Sequence, residues 1–161
     1  MEPITIRTAT LNDLEVLLGF ERNLIDSDRT FDPTFKQDNF HYYDIVQMIT
    51  EPHIEIVVAM SGSKVIGCGY ARIETAKIYL EHQKHAYFGF MYVEPDYRGT
   101  GVNGKIIDAL KQWSLTQMVT ELRLDVYHNN TKAIKAYEKK GFARLKIEMR
   151  MNLPESPVKT T

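Results

Sequence analysis

The sequence predicts an α/β (α+β) protein built on one mixed sheet with helices on both faces. Three observations point there. Short apolar runs of strand character alternate with segments of helical period along the whole chain. A Ser61-Gly62-Ser63-Lys64 turn joins two such runs as a β-hairpin. Further on, an apolar run ends at Pro95, a glycine-dense turn follows, and a helix pattern begins at once.

In chain order, Ile4-Thr5-Ile6-Arg7 alternates as a short strand, and Thr10 or Asn12 can cap the helix after it. Leu14, Leu17, Leu18, Leu24 and Ile25 form the apolar stripe of that helix. Asp26 to Asn39 is polar and broken by Pro33, which predicts a loop. Tyr42 to Ile49 predicts a second short helix, stopped by Pro52. Ile54 to Met60 and Val65 to Glu74 are the hairpin strands, and Ala76 to Lys84 has no clear period. Ala86 to Val93 is an aromatic-rich strand with Gly89 inside it, where a strand glycine marks a bulge or a close approach. A helix is predicted from Gly101 to Met118 and a strand from Leu122 to Tyr127. Thr131 to Lys140 is a short helix ended by Gly141. Ala143 to Leu153 is predicted as the closing strand. Residues 1–153 thus form one expected domain, with 154–161 as a disordered tail.

With 161 residues, the chain is long enough for a real core. A net charge of −1 gives no electrostatic case for nucleic acid or a membrane surface. Cys68 is the only cysteine and sits among apolar neighbours, so no internal disulfide can form. No signal peptide and no apolar run of spanning length is present, which predicts a cytoplasmic protein.

The stretch from Tyr92 to Ile107 carries the most chemistry. Glycines at 99, 101 and 104 leave the backbone uncrowded, so several N–H groups can converge on one anion at the positive end of a helix. Gly99 to Lys105 fits the GxxxxGK pattern of a nucleotide-binding P-loop, but Ile106 stands where the Mg²⁺-holding hydroxyl should be. A metal-free diphosphate held by backbone amides, as in a coenzyme A site, is the alternative. A turn without function is the bland one.

A second segment follows, with Asn130, Ala133, Ile134, Tyr137, Gly141 and Phe142 in an N-x-x-A-I-x-x-Y-x-x-x-G-F pattern. With the V-x-P-x-x-R-G-x-G stretch before it, the chain closely resembles the GNAT superfamily of acetyl-CoA-dependent N-acetyltransferases. The resemblance is close over residues 54–150 and looser before them. Asn103 departs from the usual glycine or alanine, although asparagine tolerates unusual backbone angles. The resemblance implies a mostly antiparallel sheet whose fourth and fifth strands splay to admit the pantetheine arm. It also implies acetyl-CoA as cosubstrate, no metal, and a small-molecule or peptide amine as acceptor, and homodimers are common in the family. A non-catalytic acyl-CoA-binding module is the other reading that keeps the cradle.

By that resemblance, the backbone of Arg98, Gly99, Thr100, Gly101, Val102, Asn103 and Gly104 grips the diphosphate. Met91, Tyr92 and Val93 offer main-chain groups to the pantetheine, and the N–H near Met91 polarises the thioester carbonyl. Tyr137 protonates the departing thiolate. Asn130 bonds the cofactor arm or caps its own helix, and Lys132 and Lys135 are candidates for the 3′-phosphate. For the base, Tyr87, His85 and Glu94 lie on or beside the fourth strand. His82 and His85 lack the further ligand that a metal site needs. In the first half, Arg22, Asp28, Arg29 and Phe31 are candidates for acceptor binding. Carboxylates there suit a cationic amine and arginines an acidic one.

Overall fold

A computed structural model describes residues 2–156. Five strands, β1 (Ile4–Thr8), β2 (Ile54–Ser61), β3 (Lys64–Thr75), β4 (Lys84–Val93) and β5 (Leu122–Leu124), form one sheet in the order β1-β2-β3-β4-β5. The first four are antiparallel neighbours, and β5 runs parallel to β4. Four helices surround them: α1 (Leu14–Asp28), α2 (Ile45–Thr50), α3 (Val102–Thr116) and α4 (Thr131–Lys139).

Strand alternation divides the core into two layers. Ile56, Val58, Cys68, Tyr70, Phe90 and Tyr92 face Leu17 and Phe20 of α1 and Ile45 and Met48 of α2. Val57, Ala59, Ile66, Ala71 and Phe88 face Val102, Ile106, Ile107 and Leu110 of α3, with Tyr137 of α4 at the rim. Each fully buried aliphatic side chain contributes about 1.5–3 kcal/mol, which is why α3 and the sheet stay locked around the glycine turn.

The entry to α1 is tied down by charge. Asp13 accepts the Thr10 N–H and receives two bonds of 2.8 Å from the Arg7 guanidinium. Those Arg7 bonds hold the Asp13 carboxyl below its ordinary range.

Phe88 and Phe90 are two apart yet face opposite core layers. An extra residue in β4 explains it: Cys68 pairs with Tyr92 and Tyr70 with Gly89, leaving Phe90 and Met91 without partners on β3. This is a β-bulge, with Phe90 at φ +52°. A Cβ on Gly89 would lie 2.7 Å from the Tyr70 ring, so the glycine is required for the approach. Pairing of β4 with β5 stops at Phe88–Leu124, so the two strands part beyond that point.

One expected element is absent. Residues 143–153 form no strand and expose their apolar side chains. Alternation qualifies a segment for a sheet, but a strand also needs a neighbour to accept its hydrogen bonds, and none is in place among the described residues. The predicted strand 122–127 likewise shortens to three residues. Of the tail, Pro154 to Ser156 are exposed and irregular, and residues 157–161 lie outside the described residues.

Candidate active site

The glycine turn has the geometry of an anion cradle. A single 3-10 turn, Pro95–Tyr97, ends β4, and Gly99 and Gly101 then take φ of +76° and +89°. No side chain caps α3, and its first internal bond runs from Lys105 N–H to the Gly101 carbonyl. The N–H groups of Val102, Asn103 and Gly104 therefore have no partner within the helix and point from its positive end. A Cβ on Gly99 or Gly101 would meet nothing within 4 Å, so the space in front is open.

The side chains of this segment serve the fold. Arg98 donates from Nε to the Val93 carbonyl at 2.9 Å and lies over the Tyr92 ring. Thr100 closes the turn onto the Tyr97 carbonyl at 2.6 Å. Val102 is buried in the core, and so is Ile106, at the position where a P-loop carries its Mg²⁺ hydroxyl. What the segment offers to a ligand is backbone.

Beyond Phe88, β4 has no pairing on the β5 side among the described residues, and Met91, Val93 and Tyr137 pack against the same core layer. Burial pushes the Tyr137 phenol up to about 12, with a further push from Asp28. Around Asp28, Tyr42 donates its hydroxyl at 2.9 Å, and Phe31 stacks on Tyr127 at 5.6 Å. Burial raises the Asp28 carboxyl, and the Tyr42 bond lowers it in part.

The other candidates are placed differently. Arg22 is exposed. Arg29 pairs with Asp26, donates to the carbonyls of Lys36 and Asp38, and lies over Phe40, so it fastens the 29–40 loop. Asn130 accepts the Ala133 N–H at 3.3 Å and so caps α4. Lys132 and Lys135 are exposed on α4. Tyr87 donates to Asp125 at 3.2 Å, His85 bonds Glu74, and the Tyr92 hydroxyl donates to Glu94. Among the described residues no three His, Cys, Asp or Glu side chains group as a metal site.

Sequence reasoning passed over Tyr42, Tyr127 and Glu21. Glu21 is 1% exposed and accepts the N–H groups of Tyr42 and Tyr43 at 2.7 and 2.9 Å, and its other oxygen meets His41 Nδ1 at 2.7 Å. It thus hangs the Tyr42 loop on α1. Its place four residues from both Leu17 and Ile25, inside the apolar stripe, was the available signal. Glu21→Ala leaves two backbone donors unpaired at about 1–3 kcal/mol each. Thermal denaturation should show a melting temperature lower by at least about 5 °C; a shift under about 2 °C would remove this anchoring role.

A backbone cradle at the head of a helix, fed by a strand edge freed by splaying, is the arrangement of a coenzyme A-dependent acyltransferase. The chain belongs to the Acetyltransferase (GNAT) family, whose model matches residues 21–142, and it is an N-acetyltransferase. It is similar to an IAA acetyltransferase of Azospirillum brasilense, 26% identical and covering 89% of this chain and 86% of that one. It is also similar to the thialysine N-epsilon-acetyltransferase of Sus scrofa, at 26% identity over 88% and 85% of the two chains. Among solved structures, the aminoglycoside acetyltransferase AAC(6')-Iy, bound to a CoA bisubstrate analogue, superposes with a TM-score of 0.74. It is 20% identical and covers 95% of this chain and 99% of its own. AAC(6')-Ih of Acinetobacter baumannii gives 0.73 at 18% identity, covering 96% and 100%.

Proposed function

We propose that the protein transfers the acetyl group of acetyl-CoA to a primary amine that is cationic in solution, by direct attack within a ternary complex. What supports this reading is the backbone cradle at the head of α3, with β4 left unpaired on the β5 side beyond Phe88, a buried Tyr137 phenol, and an Asp28 carboxyl that accepts the Tyr42 hydroxyl. The N–H groups of Gly99 to Gly104 hold the diphosphate. The backbone around Met91 hydrogen-bonds the pantetheine and the thioester carbonyl.

A bound thioester supplies an activated acyl carbon and a thiolate leaving group. An alkyl amine with a pKa near 10.4 is nucleophilic in about one molecule in a few thousand at pH 7, a deficit of roughly 4–5 kcal/mol. Asp28 attracts and orients the ammonium form; the amine gives up a proton to solvent as Tyr42, Phe31 and Tyr127 enclose it and desolvation favours the neutral form. The carbon–nitrogen bond then forms as the carbon–sulfur bond breaks, the second nitrogen proton leaving as the amide forms and the thiolate being released. Tyr137 donates a hydrogen bond to the sulfur as it leaves. Direct transfer also follows from the thiol inventory: Cys68 is fully buried, and burial pushes its pKa well up, so it is a poor acyl carrier.

A relative named for thialysine acetylation supports a small cationic acceptor. The reading is tested by following free thiol with cationic, neutral and acidic amines, alongside calorimetry with acetyl-CoA. Cationic amines should react fastest, and initial-velocity lines should intersect. No heat with acetyl-CoA, or a preference for acidic amines, would overturn it. Asp28→Asn should raise the acceptor KM about 10- to 100-fold, as loss of a charge-assisted bond requires, with the acetyl-CoA KM unchanged. The reverse pattern would move Asp28 out of the acceptor site.

A further inference from the structure

The diphosphate of coenzyme A is doubly anionic, whereas the glycine turn meets it with uncharged N–H groups. Both cations of that segment are already engaged. Arg98 donates to the Val93 carbonyl and lies over the Tyr92 ring, and Lys105 donates to the Ile4 carbonyl at 3.5 Å.

A cation from another element lies beside the turn. Lys140 follows the last residue of α4. Gly104, Asp108 and Lys111 recur at i, i+4 and i+7 on one face of α3, and all three meet Lys140. Lys111 Nζ donates to the Lys140 carbonyl at 2.7 Å, which fastens the end of α4 to α3. Lys140 Nζ donates to Asp108 at 2.7 Å. A Cβ on Gly104 would lie 2.8 Å from Lys140 Cε and 3.3 Å from its Nζ. The ammonium end of Lys140 thus fills the space that a side chain at position 104 would take.

Gly104 is the third residue of α3, and its N–H is one of those without a partner inside the helix. At a rise of 1.5 Å per residue, the first residue of α3 is roughly 3 Å along the axis from Gly104, and Asp108 is roughly 6 Å the other way. Rotation about the flexible lysine stem carries Nζ from one to the other. The Asp108 pair opposes this only weakly, because its side chains are 30% and 57% exposed and water screens them. A diphosphate at the helix head offers the same ammonium more charge and more acceptor oxygens.

We propose that Lys140 is a further coenzyme A-binding residue, whose ammonium exchanges Asp108 for the diphosphate when the cofactor binds. The inference rests on the reading that the head of α3 holds the diphosphate. Asp108 and the diphosphate then compete for one cation, so the two partners of the ion pair have opposite effects on affinity.

Calorimetric titration with acetyl-CoA tests this without reference to turnover. Lys140→Met keeps an unbranched stem beside Gly104 and should raise the dissociation constant about three- to fivefold, the scale of one exposed charge contact. Asp108→Asn should lower it by at least about twofold, and the double variant should match Lys140→Met within about twofold, since the carboxylate acts through the ammonium. Acetyl-CoA lacking its 3′-phosphate should show the same loss in Lys140→Met, as a contact to the diphosphate requires. Wild-type affinity in Lys140→Met would overturn the proposal, and so would weaker binding in both single variants, the mark of a structural pair. A loss that vanishes without the 3′-phosphate would overturn it too. All three results leave the cradle standing, whereas absence of binding by the wild-type chain would overturn the cradle and this inference together.

Discussion

Tyr137→Phe is expected to lower kcat by roughly 10- to 100-fold, the worth of one hydrogen bond to a charged group, with the acetyl-CoA dissociation constant within about threefold of wild type. Phenylalanine keeps the ring contacts with Phe142 and the second core layer. On the proposed mechanism, what is lost is a hydroxyl that would meet the reacting sulfur only as the carbon–sulfur bond breaks, so the effect should fall on kcat. The pKa of about 12 refines the role. A thiol of pKa near 8.5 is the stronger acid, so the phenol stabilises the thiolate as a hydrogen-bond donor. The sign for pH dependence follows: a raised pKa keeps the proton on to higher pH. The active form is therefore fully present from pH 7 to about 10, and the rate should show no fall from this group there. Single-turnover rates across pH check both points. An unchanged kcat with chemistry rate-limiting would remove Tyr137 from the mechanism.

Gly101→Ala is expected to weaken acetyl-CoA binding by at least about tenfold while kcat at saturation changes little. The new Cβ would collide with nothing, so the cost is purely conformational. Alanine at φ +89° carries a penalty of about 1–2 kcal/mol. Relieving it rotates the peptide planes and turns the N–H groups at the head of α3 away from a common point. Gly104→Ala is the contrasting control. Its Cβ would lie 2.8 Å from Lys140 Cε, the end of a flexible side chain that can move aside, so the effect should be smaller. Calorimetric titration of both variants measures the difference, and wild-type affinity in Gly101→Ala would count against the cradle.

Much of the fold was legible because its signals are local. The hairpin turn at Gly62, the helix beginning after Gly101 and the helix end at Gly141 each depend on backbone freedom at one residue, and a neighbouring pattern of 2 or 3.6 identifies the element. Gly89 was legible as a disturbance in β4, and the bulge at Phe90 is that disturbance. The cradle could be read as a candidate for the same reason, because closely spaced glycines at the head of an apolar helix permit its turn whatever surrounds them.

The rest depended on long-range partners. Asp28 and Arg29 are adjacent, mobile-looking charges in the sequence. Folding sets the first against the Tyr42 hydroxyl and fastens the second to the carbonyls of Lys36 and Asp38. Asn130 read equally well as a ligand and as a cap, and the Ala133 N–H places it as a cap. Residues 143–153 have a strand's alternation, yet no partner strand lies beside them among the described residues.

By itself, then, the amino-acid order determined the succession of strands and helices and the conformation of the glycine turn, since these rest on contacts a few residues apart. Only tertiary structure decided which groups surround Asp28, which arginine is spent on a loop, and where the sheet stops. Those outcomes arise when distant segments compete for the same hydrogen-bond donors and the same buried space, and a pattern along one chain carries no record of that competition.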